Sequence, residues 1–393
     1  MSRTIRDIAA EIGSGITPLR SKIEYWNSKD IPWVKTEQLG EYQIFEANEY
    51  ISKTALEKES IKLWPKKTVS IAMYGEGKTR GNVSILMMPS TTNQACCNIV
   101  VDSEKADYRF LYYWIKNNYE QLRTLAAGVR KNLNSDDIKG FPFPDFDVPA
   151  QACIADVLSA IDDLIQNNSL VCTELEAMAK TLYDYWFTQF DFPNADGKPY
   201  RSSGGETVWN EQLKREIPKG WEVTTMSALT TVLTGKEDAN FSTPDGKYKF
   251  FTCAQETLLC DTPTFSGHAV LIAGNGDFNV KHYTGSFNAY QRTYVLIPNE
   301  AKHYAIMYIA AQKRIQAFKQ GSNGSIVKFI TKGDVENIPI ILPDNDTLLE
   351  TLNEILKKIE QCERENDELT KLRNWLLPML MNGQATVSGL ATK

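Results

Sequence analysis

The stretch DDIKGFPFP at residues 136–144 returns 197 positions later as GDVENIPII at residues 333–341. At this offset Asp137 aligns with Asp334, and two hydrophobic positions and a proline align around them. A fixed offset over a whole segment indicates an internal repeat. Because a solenoid needs roughly three or more repeats, we predict instead a two-part unit that is duplicated once.

A second match lies upstream in each copy. VSIAMYGEG (69–77) resembles VLIAGNGDF (270–278) at an offset of 201, so one connecting loop differs by four residues between the copies. Short β-branched segments bounded by Gly, Pro, Asn or Asp predict strands, and each copy has one stretch with helical spacing. The predicted strands are 68–73, 82–87, 99–101, 248–252, 269–273 and 293–297, and the predicted helices are 109–125 and 301–318.

Each copy is followed by a long stretch with apolar residues at alternating spacings of four and three, from Ile154 to Trp186 and from Leu348 to Leu380. This spacing is typical of a coiled-coil seam. Arg373 interrupts the second seam. Chain length permits either direction of pairing, but an antiparallel pair aligns the polar seam residues and matches the ends, so we predict that direction. The residues that define this register are Asn168, Cys172, Cys362 and Asn366.

The repeat and the two seams predict an α+β chain in which two mixed β-rich blocks are separated by long helices that form an antiparallel coiled coil. A turn-rich segment after the first helix is expected to be a linker. The predicted parts are a first block at 1–147, a helix at 148–192, a linker at 193–210, a second block at 211–345, a helix at 346–383 and a tail at 384–393.

The composition is that of an ordinary globular chain, with 42% hydrophobic and 23% charged residues. Since no apolar run is long enough for a membrane span or a signal peptide, we expect a cytoplasmic protein. The net charge of −6 is unevenly distributed: residues 148–204 carry 3 basic and 8 acidic side chains, whereas residues 1–147 carry 20 and 19. Both blocks can therefore present local basic surfaces.

The sequence contains no arrangement typical of a catalytic site. The three histidines, His268, His282 and His303, lack the spacing of a metal site or a nucleophile–base pair. None of the seven cysteines forms a CxxC pair, so we expect no metal. The segment AMYGEGKT (72–79) resembles a phosphate-binding loop, but Ala72 replaces its first glycine, and we interpret it as a hairpin tip.

Three further segments, in this order, carry a family resemblance: YDYWFTQFDF (183–192), IPKGWEV (217–223) and LRNWLLPMLMNG (372–383). Together with the duplication, they resemble the specificity (S) subunit of Type I restriction-modification enzymes over almost the whole chain. The chain departs from many relatives by starting at MSRTIRDIAAEIG, without a Gly-Trp segment before the first block.

The resemblance implies that the blocks are two target recognition domains, each of which reads one half of a split, asymmetric site in double-stranded DNA. The long helices would act as spacer and as docking surface for two modification (M) subunits, which methylate adenine with S-adenosylmethionine. Restriction (R) subunits would add an ATP-dependent nuclease. The chain itself would be non-catalytic and would hold no cofactor, while S-adenosylmethionine, ATP and Mg would bind to the partner subunits.

Candidate DNA-binding residues are those whose side chains can read guanine or adenine or can hold phosphate, in matching loops of the two blocks. Because Gln94 and Gln291 match between copies that should read different bases, turn formation or phosphate contact is the alternative for them. Arg80 and Lys281 differ between the copies and are better candidates for base contact. The full set is Tyr74, Lys78, Thr79, Arg80, Asn93, Gln94, Arg130, Lys131, Asn275, Lys281, Tyr283, Gln291, Arg292, Asn323 and Lys328.

A second class of function stays open at this point. A coiled-coil scaffold that carries two β-rich modules for binding proteins or glycans would show the same repeat and the same charge distribution. Only the family resemblance favours a DNA-binding subunit over this alternative.

Overall fold

The computed structural model describes residues 3–75, 77–126, 132–320 and 329–385. The chain divides into two compact units. Unit 1 comprises Met1–Gln166 and Asn366–Lys393, and unit 2 comprises Asn167–Glu365. Each unit therefore contains one β-rich block together with a part of each long helix.

Unit 1 contains a five-stranded and a three-stranded sheet. Its strands are β1 (Ala9–Ser14), β2 (Ile31–Val34), β3 (Gln43–Ile44), β4 (Glu49–Ile51), β5 (Thr68–Ala72), β6 (Val83–Leu86), β7 (Thr91–Thr92) and β8 (Cys96–Val101). The larger sheet has the order β1-β8-β5-β6-β3, and the smaller has the order β4-β2-β7. All residues of β5 are buried, which explains its continuous run of β-branched and small residues.

Helices cover one face of the larger sheet in unit 1. They are α1 (Ile5–Ile8), α3 (Tyr108–Asn117), α4 (Tyr119–Thr124), α5 (Ser135–Lys139) and the first part of α6 (Val148–Tyr183), whereas α2 (Lys53–Lys58) packs beside the smaller sheet through Ala55. Phe110 and Ile115 of α3 pack in one core cluster with Val69, Ile71 and Ile99 of the sheet. This burial fixes the sheet against α3, and the strand ends and their loops project from the packed layer.

Unit 2 is built around a six-stranded sheet with two small two-stranded sheets beside it. Its strands are β9 (Thr207–Asn210), β10 (Arg215–Pro218), β11 (Glu222–Thr225), β12 (Thr230–Thr234), β13 (Tyr248–Phe251), β14 (Leu258–Cys260), β15 (Phe265–Ala273), β16 (Val280–Ala289), β17 (Thr293–Pro298) and β18 (Pro339–Leu342). The large sheet has the order β12-β17-β15-β16-β13-β14.

The helices of unit 2 pack on this sheet through an apolar core. They are α7 (Met226–Leu229), α8 (Tyr304–Gln320), α9 (Lys332–Glu336) and the first part of α10 (Thr347–Met381). The helix α8 contributes Ile306 and Met307 to the same buried cluster as Val270 and Ile272 of β15. The helical stretch and the strand predicted from sequence at 301–318 and 269–273 are therefore layers of one core.

The sheet order confirms the internal repeat. The strands β1-β8-β5-β6 of unit 1 have the same order as β12-β17-β15-β16 of unit 2, and all these neighbours are antiparallel. The register matches as well, because Ile71 pairs with Cys97 and Ile272 pairs with Tyr294. These pairs are related by the offsets of 201 and 197 that align the sequences.

In unit 1 the two long helices contact each other with opposite chain directions. Asp162 of α6 forms an ion pair with Arg373 of α10 at 2.5 Å, and the Asn366 Nδ2 donates to the Ile165 carbonyl at 3.2 Å. As residue numbers increase along α6, the numbers of the contacting residues on α10 decrease. Arg373, which interrupts the predicted seam, thus has a buried carboxylate as its partner.

In unit 2 the contacts between the long helices run in the same opposite sense. The Cys172 thiol lies beside Cys362 and donates to the Ile359 carbonyl at 3.7 Å. Further along α6, Leu175 and Leu182 pack on the cluster that holds Leu348 and Leu352. From Asn168 to Leu182, the predicted seam positions of α6 are half-buried and the residues between them are exposed.

Two local features differ from the sequence-based expectation. The helix predicted at 109–125 is divided into α3 and α4 at Asn118, whose side-chain amide donates to the Trp114 carbonyl at 2.8 Å and closes the first helix. The segment expected as a linker at 193–210 includes β9, which pairs with β10 in a hairpin. The turn-forming residues of the segment 193–210 could not by themselves predict this hairpin, because the partner strand β10 lies outside the segment.

Candidate nucleic-acid interface

Three connecting segments of unit 1 meet at a single backbone junction. The Met73 amide, after β5, donates to the Ala95 carbonyl before β8 at 2.8 Å. The Leu133 amide, before α5, donates to the Met73 carbonyl at 3.0 Å. The loops that carry the candidate residues around 74–80 and 93–94 are therefore anchored side by side.

Unit 2 contains the same junction at equivalent positions. The Gly274 amide donates to the Arg292 carbonyl at 2.9 Å, and the Ile330 amide donates to the Gly274 carbonyl at 2.8 Å. These residues correspond to Met73, Ala95 and Leu133 at the offsets of the repeat. The duplication thus preserves the placement of the loops while their sequences differ.

A glycine brings a further segment to each junction. A Cβ atom at Gly15 would lie 2.0 Å from the Thr92 carbonyl oxygen, and one at Gly235 would lie 2.1 Å from the Ala289 carbonyl oxygen. Thr92 and Ala289 are equivalent at an offset of 197. Only glycine permits such a close approach of two backbones. The segments after β1 and β12 therefore lie at the same sheet edge as the candidate loops.

The first candidate loop of unit 1 projects beyond this junction. Tyr74 is 42% exposed, Lys78 is exposed, and Thr79 and Arg80 are half-buried. The segment connects the antiparallel strands β5 and β6, which confirms the prediction that residues 72–79 form a hairpin tip. A hairpin without a following helix lacks the helix N-terminus that a phosphate-binding loop of this kind uses.

The turn before β8 holds the next two candidates of unit 1. The Asn93 Oδ1 accepts a hydrogen bond from the Cys96 thiol at 3.1 Å, so this side chain stabilises its own turn. Gln94 is exposed, and its Oε1 accepts from the Thr17 hydroxyl. Thr17 was not among the predicted residues, and a lone threonine in a loop gave no signal for it.

In unit 2 the equivalent turn is held in a similar way. Gln291 and Arg292 are exposed, and the Gln291 Nε2 donates to the Asp238 carboxylate at 2.8 Å. Gln94 and Gln291 thus each bind a side chain of a neighbouring loop. Their shared role in loop shape explains why they match between copies whose other loop residues differ.

The remaining described candidates of unit 2 lie closer to its core. The Lys281 Nζ donates to the Ala254 carbonyl at 2.6 Å, and burial lowers the pKa of this amine. The Tyr283 ring lies 5.3 Å from the Phe251 ring and packs on the core. Asn275 is half-buried and forms a backbone bridge with Phe329. The other four candidates, Arg130, Lys131, Asn323 and Lys328, lie outside the described residues.

The histidines occupy structural positions in unit 2. His282 is buried with its Nδ1 3.5 Å from the Glu360 carboxylate, and His268 Nδ1 lies 2.8 Å from the Thr284 hydroxyl. The Glu360 carboxylate also accepts from Tyr304 at 2.7 Å, so it connects α10 to the block. Within the described part of the chain, no group of three His, Cys, Asp or Glu side chains is placed to hold a metal, and no helix has the length and apolar character to cross a membrane.

Comparison with known proteins agrees with this geometry. The family described as the Type I restriction modification DNA specificity domain matches residues 1–177 and 218–375. Among curated proteins, the Type I restriction enzyme EcoDI specificity subunit of Escherichia coli is 35% identical over 178 residues, which are 44% of this chain and 40% of that protein. The chain therefore matches less than half the length of this relative.

Other relatives match over the whole chain. The Type I restriction enzyme MjaIX specificity subunit of Methanocaldococcus jannaschii is 27% identical over 99% of this chain and 94% of its own length. The crystal structure of a Type I restriction-modification system S subunit from M. genitalium has a TM-score of 0.60 at 18% identity, and the match covers 97% of this chain and 95% of that one, which shows a shared fold. The chain therefore belongs to the family of DNA specificity subunits of Type I restriction-modification systems, and the family's domain matches it in both halves.

Proposed function

We propose that each unit reads one half of a bipartite, asymmetric site in double-stranded DNA. The observation that carries this proposal is the repeated backbone junction, Met73 with Ala95 and Leu133 in unit 1 and its equivalent in unit 2. A shared scaffold with different loop residues is what two readers of different half-sites require. The chain acts by recognition and performs no chemistry itself.

The contacts of the candidate residues indicate which of them contact DNA and which hold the shape of a loop. Lys78 and Arg292 are exposed basic residues beside the junctions, and we assign them contacts with phosphate or guanine. Gln94 and Gln291 hold loop shape through Thr17 and Asp238. Lys281 must release the Ala254 carbonyl before it can contact a base.

The long helices act as a spacer in the proposed function. We assign them an antiparallel coiled coil in the register that the sequence predicts, with Cys172 facing Cys362. Support for this direction comes from the contacts inside each unit, Asp162 with Arg373 in unit 1 and Cys172 with Ile359 in unit 2. A helix of fixed length would then set the number of unspecified base pairs between the half-sites.

Each long helix also exposes apolar side chains that its own unit does not cover. In unit 2, Leu170 is 62% and Met178 is 48% exposed on α6. In unit 1, Leu372 is 43% and Trp375 is 58% exposed on α10. Met178 and Leu372 are equivalent at the offset of 194 that relates the two seams. Exposed apolar groups of this kind are typical of protein interfaces, and one such patch on each helix fits two M subunits.

The catalytic groups belong to the partner subunits in this proposal. S-adenosylmethionine would bind to the M subunits, and ATP and Mg to the R subunits. The complex would act in the cytoplasm.

The proposal is tested by exchanging one block at a time. The chain is produced with its M subunit, and residues 1–147 or 211–345 are replaced by the block of a relative with a different target. Methylated adenines are then mapped across a genome. Each exchange should change the bases of one half-site and leave the other half-site and the spacer unchanged. A scaffold without a DNA role would give no methylated motif with either chimaera, and changes in both half-sites would show that the units do not read separately.

A further inference from the structure

The loop at residues 77–82 of unit 1 is closed at its base by strand hydrogen bonds. The Ala72 amide donates to the Asn82 carbonyl at 2.8 Å, and the Gly81 amide donates to the Ala72 carbonyl at 2.9 Å. The Asn82 amide donates to the Thr79 carbonyl at 3.0 Å and forms a turn. These bonds fix where the loop begins and ends, but they leave the carbonyls of Gly77 and Lys78 for other partners.

Two side chains of α4 bind those carbonyls. The Arg123 Nη2 donates to the Gly77 carbonyl at 2.9 Å, and the Tyr119 hydroxyl donates to the Lys78 carbonyl. The Arg123 Nη1 also donates to the Tyr119 hydroxyl, and its guanidinium lies 5.0 Å from the centre of the Tyr119 ring. Residues four apart on a helix lie on the same face, so α4 presents both groups to the loop together.

The contact between the loop and this pair is close. Gly81 has a φ of +90°, and a Cβ atom there would lie 3.1 Å from Arg123 Cγ and 3.3 Å from the Tyr119 ring. The helix that carries the pair is itself anchored, because Leu122 is fully buried in the core of unit 1. The loop is therefore held against an anchored helix, while the Lys78 side chain is exposed.

Unit 2 holds its equivalent loop by different means. The offset of 197 places Gln316 and Gln320 at the positions of Tyr119 and Arg123, so the aromatic ring and the guanidinium are absent from the equivalent sites. There the buried Asn279 donates through Nδ2 to the Cys253 carbonyl at 2.8 Å. The pair in unit 1 is thus not a general feature of the repeated fold.

We propose that Tyr119 and Arg123 are positioning residues that set the DNA preference of unit 1 by holding the loop at residues 77–82 in its reading position. The inference rests on the proposed function of this loop. Arg123 contributes here by its fixed planar donors and not by its charge alone. A lysine would keep the charge but would lose the simultaneous bonds to a carbonyl and a phenol.

The test uses the complex of the chain with its M subunit and short DNA duplexes. Tyr119→Phe removes only the hydroxyl, and Arg123→Lys keeps the positive charge. The matched control is Tyr308→Phe, which removes a hydroxyl that accepts from Gln312 at 2.6 Å within α8 of unit 2. For each complex, the affinity for the native site is compared with the affinities for duplexes substituted in the first or the second half-site.

Loss of these bonds should lower the ratio between the affinity for the native site and the affinity for a duplex substituted in the first half-site by about tenfold. This factor corresponds to the free energy of one to two hydrogen bonds. Discrimination at the second half-site should not change, and the control should match the unaltered chain at both. Unchanged discrimination, or an equal fall at both half-sites, would overturn the positioning role. If the unaltered complex itself shows no preference for one site, the proposed function fails before the positioning role is reached.

Discussion

The buried ion pair between Asp162 and Arg373 should be the largest single polar contribution to the pairing of the long helices in unit 1. The Asp162 side chain is 3% exposed and the Arg373 side chain is 14% exposed. The second oxygen of Asp162 accepts from the Tyr113 hydroxyl at 2.7 Å, so the carboxylate connects α6 to both α10 and α3. We predict that Arg373→Ala leaves this carboxylate buried without its counter-charge.

Removing one partner of a buried ion pair typically lowers the free energy of unfolding by about 3–5 kcal/mol. For a unit of this size, the midpoint of thermal unfolding should fall on the order of 10 °C. Replacing both partners by leucine should restore only part of the loss, because the double variant no longer buries a lone charge but the buried Tyr113 hydroxyl loses its acceptor, at a cost of about 1–3 kcal/mol. Lys371→Ala, an exposed position on the same helix, serves as the control and should change the free energy of unfolding by less than about 0.5 kcal/mol.

Urea unfolding followed by circular dichroism measures the four proteins under the same conditions. The expected order of stability places Arg373→Ala lowest and the double variant between it and the unaltered chain. If Arg373→Ala is no less stable than Lys371→Ala, the ion pair does not hold the helices together, and the interpretation of Arg373 as a seam residue with a partner is refuted.

Three further predictions concern titration, proximity and length. Burial lowers the pKa of Lys116 from its ordinary 10.5 to about 8, so between these values the unfolded chain binds a proton that the folded chain does not. The free energy of unfolding should therefore rise with pH over this range, and urea unfolding of Lys116→Met should lack that rise. Dibromobimane, which fluoresces once it bridges two thiols, should link Cys172 to Cys362. The reaction should be faster at alkaline pH, because burial raises the pKa of the Cys172 thiol to about 11. If mass spectrometry finds no linked peptide from these two residues, the predicted register is refuted. Deleting one heptad from each helix, residues 165–171 and 363–369, should shorten the mapped spacer by about 3 base pairs without altering either half-site, since a heptad spans about 10 Å.

The repeat, the sheet strands and the long helices were predictable because each has a periodic signature in the sequence. Apolar residues in β5 and in residues 269–273 of β15 match between the copies because these segments are buried in equivalent sheets. The seam spacing identified both helices for the same reason. Arg373 shows the limit of such patterns. Its partner Asp162 lies one position beyond the seam residue Ile161, so only the folded arrangement reveals why a charge is tolerated there.

The candidate interface was predictable only in part. Matching loops could be found by alignment, but the junctions that bring them together consist of backbone hydrogen bonds, which need no particular side chain. For the same reason the sequence could not identify Tyr119 and Arg123 as partners of the loop at residues 77–82, because they bind its carbonyls. Asn93 was predicted as a DNA contact because of its type, although its side chain accepts from Cys96 within its own turn.

The division of the chain into two readers is tested most directly by the methylated motif of the unaltered complex. The chain is expressed with its M subunit in a host without other adenine methylation, and methylated adenines are mapped by long-read sequencing. Two specified half-sites with different bases, separated by a fixed number of unspecified base pairs, are the predicted result. A single continuous motif, or two half-sites with a variable spacer, would contradict the assignment of one half-site to each unit and of the spacing to the helices.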